Sequence, residues 1–303
     1  MTNVNSSGKR MLLVHAHPDD ETIGTGATMA KYAADGAQVT LVTCTLGEEG
    51  EILVPELEHL AANQSDGLGQ HRIGELSDAM RILGIDDHRF LGGPGRFRDS
   101  GMMGVPSNDR ADSFWRADLL QAASELVPVI REVRPHVVVT YDDFGGYGHP
   151  DHIQAHRVTH YALALAESRS FLPETGEAWW VPKVYWTAFP RSVVRAGIMA
   201  LREQGSDSEF AAMDPDEIPF ACDDELITTA IDAHDFLDTK MQALAAHKTQ
   251  VTLDGGFFAL SNNLGSEVMG TEYFRLVRGH PVTGRLEADG NGHEKDLFAG
   301  IGA

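Results

Sequence analysis

Hydrophobic positions along this chain change period in a regular order. Residues 11–14 (MLLV) form an unbroken apolar run, the pattern of a strand buried on both faces. A helix is predicted over 22–35, stopped by Gly36 just past its end, and a β-branched strand follows over 38–44. Over 68–83, Ile73, Leu76, Met80 and Leu83 recur at steps of three and four, an amphipathic helical stripe. A short strand at 88–91 leads into a Gly-, Pro- and Asp-rich loop over 92–114, and loops of that length are usually functional or mobile. A helix over 116–133, ended by Pro135, precedes the strand His136–Tyr141 (HVVVTY). Another helix begins near Asp151, and a strand over 183–189 closes the clear alternation. Beyond 190 the pattern loosens. It predicts a helix over 192–203, a strand over 217–222 and a helix over 225–246, and leaves the last 55 or so residues unassigned.

Strand and helix in alternation predict an α/β, Rossmann-like fold, a mostly parallel sheet with helices on both faces. The expected division is an α/β core over 1–190 and an irregular C-terminal portion over 191–303 packed on it. Charge narrows the partners: 24 Lys and Arg against 45 Asp and Glu give −21, which disfavours nucleic acid and anionic membrane. No apolar run approaches the roughly 20 residues that span a bilayer, and MTNVNSSGKR followed by MLLV is not a signal peptide. Two cysteines, Cys44 and Cys222, make neither a disulfide framework nor a Cys-rich zinc site. A cytoplasmic protein acting on a small molecule is expected.

Two segments carry the chemistry, and both follow strong strands. The first is His15-Ala16-His17-Pro18-Asp19-Asp20-Glu21; the second is Tyr147-Gly148-His149-Pro150-Asp151-His152. In open α/β sheets, ligands bind beyond the carboxyl ends of the strands. Imidazole and carboxylate together suit Zn²⁺ or Fe²⁺, and two histidines with one carboxylate leave a coordination position open. Helix capping accounts for one Asp in each segment but not for four histidines and three aspartates at two strand ends. His15 alternates with His17 and reads as buried or supporting rather than ligating. His156, four residues past His152, mimics zincin spacing but lacks the Glu of HExxH. Asp151 either hydrogen-bonds an imidazole or caps the next helix.

These motifs, A-H-P-D-D-E and later H-P-D-H, resemble the LmbE/PIG-L family of zinc-dependent de-N-acetylases. The segments Val42–Ile52, His71–Leu76, Leu91–Met102 and Pro135–His152 resemble the branch that deacetylates N-acetylglucosaminyl-inositol in mycothiol biosynthesis. The resemblance implies that His17, Asp20 and His152 bind the metal, one Zn²⁺ per subunit or Fe²⁺ in the cell. It further implies Asp19 as general base, with His149 and Tyr147 stabilising the transition state. Arg72 and Asp99 match positions implied for the glucosamine ring; Met102 is a candidate apolar wall in a loop whose Gly101 and Gly104 allow closure. Glu48, Glu49 and Glu51 read as a solvated acidic loop.

Other readings fit less well. Gly24-Thr25-Gly26 lacks the third glycine of a dinucleotide fingerprint, and no G-x-S-x-G exists. A non-haem iron oxygenase would match H-x-D…H, yet such triads usually sit on all-β barrels. A metal-storage or lectin-like protein would have no use for a base beside an open site. The nearest rival is a mycothiol S-conjugate amidase, which shares the metal motifs. Family members that act on glycosylphosphatidylinositol work at membranes, and this acidic chain favours a soluble, uncharged aminosugar-inositol instead.

Overall fold

Alternate residues of the first apolar run face opposite ways, and both sides are covered. In the computed structural model, which describes residues 8–203, 205, 209–252, 269–281, 290 and 292–301, Met11 and Leu13 enter one core and Leu12 and Val14 the other. Period-two alternation in a central strand does this whenever helices cover both faces. The elements run β1 (Arg10–His15), α1 (Asp20–Ala34), β2 (Gln38–Thr43), α2 (Leu68–Leu83), β3 (Asp87–Phe90) and α3 (Leu119–Val133). There follow β4 (Val137–Thr140), the short α4 (Gly145–Gly148), α5 (Pro150–Ala166) and β5 (Lys183–Pro190). The remainder comprises α6 (Arg191–Glu203), α7 (Glu209–Ala212), β6 (Ala221–Cys222), β7 (Thr229–Asp232), α8 (Leu237–Leu244) and β8 (Thr271–Arg278).

The sheet order is β3-β2-β1-β4-β5-β8-β7, with β6 beside the end of β5. From β3 to β5 every pairing is parallel; β8 pairs antiparallel with both β5 and β7. This is the expected α/β architecture, with an antiparallel margin built from the chain beyond 190. Helices α1, α2 and α8 supply Met29, Leu76, Met80 and Ala243 to one core. On the other face α3 and α5 supply Leu126, Ile130, Val158 and Ala162. The crossovers change sides between β1 and β4, so a cleft opens beyond their carboxyl ends. Both motif segments leave the sheet there.

Boundaries of α2 match the predicted 68–83, because its stripe is long and Gly84 ends it at φ 74°. The helix predicted over 116–133 begins later: Phe114–Arg116 is a 3₁₀ turn, and Asp118 caps α3 by accepting from the Gln121 amide at 2.9 Å. The strand predicted over 217–222 shortens to the two residues of β6. The helix predicted over 225–246 is incorrect in its first half. Thr229, Ala230 and Ile231 form β7 instead, since two β-branched residues beside the open edge of β8 gain ladder bonds a lone helical turn would not supply. Within the unassigned C-terminal stretch, β8 is resolved as a strand, whereas 253–268, 282–289, 291 and 302–303 lie outside the described residues.

A buried ion pair ties this margin to α1. Lys240 on α8 meets Glu272 on β8 at 2.8 Å, and the same carboxylate accepts from the Ala27 and Thr28 amides at 3.1 and 2.8 Å. Both side chains are buried. Removing one partner strands the other in low dielectric, so Lys240→Ala is expected to lower stability by about 3–5 kcal/mol. Urea melts measure this, and a loss below about 1 kcal/mol would contradict it.

Candidate metal centre

His17 follows β1 and His152 lies in the first turns of α5, and the cleft between β1 and β4 brings them together. His17 Nδ1 lies 3.3 Å from His152 Nε2 and 3.2 Å from Asp20 Oδ2, while His152 Nε2 lies 3.4 Å from Asp20 Oδ1. Bonds of about 2.0–2.2 Å to Zn²⁺ at tetrahedral angles put ligand atoms about 3.3–3.6 Å apart. The three groups therefore fit a divalent cation in spacing and in donor type. His149 contributes a further ring nitrogen within 4.8 Å of those of His17 and His152.

Surrounding groups fix each imidazole. His152 Nδ1 sits 3.2 Å from the Gly145 carbonyl, which directs Nε2 inward as the free donor. Gly145 has φ 67°, and a Cβ there would collide with His152 and with the Ile153 amide, so only glycine fits. Tyr141 stacks on His152 at 4.3 Å and accepts from the Ala16 amide at 2.8 Å, locking the end of β4 to the end of β1. On the far side of His17, Nε2 meets Asp151 at 3.2 Å and Asp99 at 3.4 Å. Asp151 itself is held by the amide and hydroxyl of Ser100. Of the two readings left open for Asp151, the imidazole bond is the one observed. The cap of α5 is His149, whose Nδ1 accepts from the Asp151 amide at 3.1 Å.

Electrostatics follow from this crowding. Burial opposes charge on His17, but the carboxylates of Asp99, Asp151 and Asp20 hold its pKa well above the ordinary histidine value. Asp20 is likewise held well below the usual carboxylate range, against its burial, by His152 and His17. Such a cluster gathers positive charge, as a cation site must. Asp19 diverges from its neighbour: burial pushes its carboxyl up to about 6, although the Arg72 guanidinium opposes this. Burial, with His17 and His152 alongside, drives His149 down to about 3. The Tyr147 phenol is pushed up by burial.

The remaining site residues predicted from sequence are distributed as follows. Tyr147 is partly exposed at the mouth, its ring 5.0 Å from that of His152 and 6.2 Å from that of His149. Arg72 is buried, donating to Asp19 Oδ2 at 3.1 Å, to the Gly47 carbonyl at 2.8 Å and to the Pro18 carbonyl. Asp99 is buried too and accepts from the Glu49 and Gly101 amides. Met102 stands exposed on the loop tip, next to Met103. His15 is buried between Tyr141 and Thr25, as its supporting role requires. His156 bonds the Tyr141 carbonyl at 3.0 Å and lies with His160 and Trp186, away from the cluster's donors.

One expectation needs correction. Glu48 is not part of a solvated loop: it is buried and accepts from the Asp99 amide at 2.9 Å. Glu49 pairs with Arg98 at 2.8 Å, and Glu51 alone of the three is exposed. Sequence reasoning also missed Ser100, Tyr141 and Glu21. Tyr141 ends the HVVVTY strand and Glu21 completes the D-D-E run, so position was a usable signal for both. Nothing in the sequence marks Ser100. Beside the cluster a cavity of about 270 Å³ runs from Asp20 and His152 past Ile23, Trp186, Phe189 and Phe220.

Comparison with known proteins accords with this geometry. A deacetylase of Kribbella flavida, described as 1D-myo-inositol 2-acetamido-2-deoxy-alpha-D-glucopyranoside deacetylase, is 59% identical over 302 residues, covering 97% of this chain and 98% of its own. A protein of the same description from Geodermatophilus obscurus is 61% identical over 294 residues, covering 97% and 98%. The fold matches the N,N'-diacetylchitobiose deacetylase of Pyrococcus horikoshii with a TM-score of 0.60 at 18% identity, over 89% of this chain and 84% of that one. The family model for GlcNAc-PI de-N-acetylase, PIG-L, matches residues 12–163, a span that takes in both motif segments. The chain belongs to the PIG-L (LmbE) family of de-N-acetylases.

Proposed function

We propose that this chain removes the acetyl group from 1D-myo-inositol 2-acetamido-2-deoxy-α-D-glucopyranoside, the N-acetylglucosaminyl-inositol of mycothiol biosynthesis, as a metal-dependent amidohydrolase. The carrying observation is the convergence of His17, Asp20 and His152 at 3.2–3.4 Å, with a second carboxylate, that of Asp19, next to Asp20 in sequence and bonded to Arg72. The relatives named above support the substrate. Those three residues would hold Zn²⁺, or Fe²⁺ in the cell, and the bound cation would supply Lewis acidity and a more acidic water.

The chain's own groups do the rest. Asp19 takes the proton of the attacking water as general base and returns it to the departing amine, without which the C–N bond does not break. His149 stays neutral, and because its Nδ1 accepts from the Asp151 amide its proton resides on Nε2, available to the developing oxyanion. Tyr147 keeps its phenolic proton for the same use. Asp151 and Asp99 hold His17 at its outer nitrogen, which makes the inner one a better donor. Arg72, Asp99 and Met102 face the sugar in this reading. Because Arg72 and Asp99 also bond Asp19 and His17, their substitution should damage placement as well as substrate affinity.

The apolar cavity beside the ligands favours a second, lesser activity: an acyl group larger than acetyl has room there, so some mycothiol S-conjugate amidase activity is expected. The test compares amine release from the acetylated pseudodisaccharide and from a mycothiol conjugate, with chelation and metal add-back. Faster release from the acetylated substrate, one acetate per amine, lost on chelation and restored by metal, is the expected result. Activity that survives chelation, or that requires oxygen or a 2-oxoacid, would overturn the assignment.

A further inference from the structure

The backbone of Asp19 is unusual. Its φ is +124°, a region that residues with a side chain rarely adopt unless neighbours impose it. Here several bonds do. The Asp19 amide donates to Glu21 Oε2 at 2.9 Å, its carbonyl caps α1 by accepting from the Thr22 and Ile23 amides at 3.0 and 2.9 Å, and Arg72 grips its carboxylate and the carbonyl before it. Glu21 is wholly buried, and its Oε1 accepts from the Thr22 hydroxyl on the same turn. The partner that reaches it from outside this turn is His247, just beyond α8, whose Nε2 lies 3.0 Å from Glu21 Oε1. His247 is also wholly buried, and its Nδ1 has no hydrogen-bond partner among the described residues. Among the described residues its ring is therefore hydrogen-bonded to Glu21 alone.

The same turn is bonded to α2, the helix that carries Arg72. Thr249 donates its amide and hydroxyl to Glu75 at 2.9 and 2.7 Å, and Glu75 lies three residues beyond Arg72 on α2. The turn also joins the loop after β2, through Leu53 to the Thr249 carbonyl at 2.9 Å and Gln250 to the Glu51 carbonyl at 3.1 Å. We propose that His247 is a positioning residue for the hydrolysis: through Glu21 it fixes the Asp19 peptide, and with it the carboxylate that moves the proton, from a part of the chain remote in sequence from both motifs. This rests on the reading of Asp19 as general base.

The test uses the full chain. A base displaced by about 1 Å can lose on the order of 10²-fold in rate. We therefore expect His247→Ala to lower kcat by about 10- to 100-fold while KM stays within about threefold and metal content is unchanged. His247→Gln places an amide N–H near the former Nε2 and should recover most of the loss. Combining His247→Ala with Asp19→Asn should cost nothing beyond Asp19→Asn alone, since a residue acting through Asp19 has nothing left to act on. A role in folding alone predicts lowered melting temperature and independent, multiplicative losses. Those losses, an unchanged kcat in His247→Ala, or loss of metal in it would overturn the proposal. Should His247→Ala fail to fold, Glu21→Gln carries the same expectations. Full activity in Asp19→Asn would instead overturn the base assignment, whatever His247 does.

Discussion

Asp19→Asn should retain its metal and lose about 10²- to 10⁴-fold in kcat, the range a general base contributes. Asparagine keeps the size of the side chain and, with aspartate, is among the residues that tolerate positive φ, so the entry into α1 should persist. Asp20, His17 and His152 meet one another without Asp19. If Asp19 is the general base proposed above, the substitution removes the proton acceptor and the ion pair to Arg72 and leaves the three proposed ligands in place. Elemental analysis alongside steady-state kinetics separates these effects. A variant that loses metal in proportion to activity would show that Asp19 ligates or supports the site rather than moving a proton.

His152→Ala makes the opposite pattern. His152 offers Nε2 to the cluster because its other nitrogen is engaged by the Gly145 carbonyl and its ring is clamped by Tyr141. Loss of an outer partner of a ligating histidine typically costs 10- to 100-fold in metal affinity, so loss of the ring itself should exceed about 100-fold. Activity should fall with it and return only in part at high metal concentration. Metal titration with a chelating indicator reads the affinity, and circular dichroism checks that the fold survives. A metal-replete, fully active His152→Ala would remove His152 from the ligand set.

Legibility from sequence tracked the range of the interactions involved. The unbroken MLLV run and the four-residue stripe of α2 declare buried strand and amphipathic helix locally, and both elements stand where those patterns put them. The 225–246 stretch misled because Thr229–Ile231 became a strand only through β8, some 40 residues on. At the site, His17, Asp20 and His152 could be proposed because they sit in two short motifs. Glu48 could not be told from its neighbours, since an acidic residue after a strand is exposed unless something distant covers it, here the Asp99 amide. Arg72 shows how a side chain's partners escape its local sequence. Its position pointed at the sugar, while its hydrogen bonds run to Asp19 and to two backbone carbonyls. His247 lies 226 residues from Glu21, and no local pattern connects them.

The neighbouring strands β1 and β4 have a wider consequence. Because they launch the two motif segments side by side, the reactive centre is tied to a backbone register that most substitutions leave alone. Exposed loop residues have no such tether: Met102, Met103 and Val105 sit on the loop after β3, and Phe144 stands just before the short α4. Exposed loop positions tolerate change at little cost in stability. Preference for one amide over another can thus drift there while the hydrolytic machinery stays intact, which makes those four positions the place to begin if the enzyme is to be redirected to new acylated sugars.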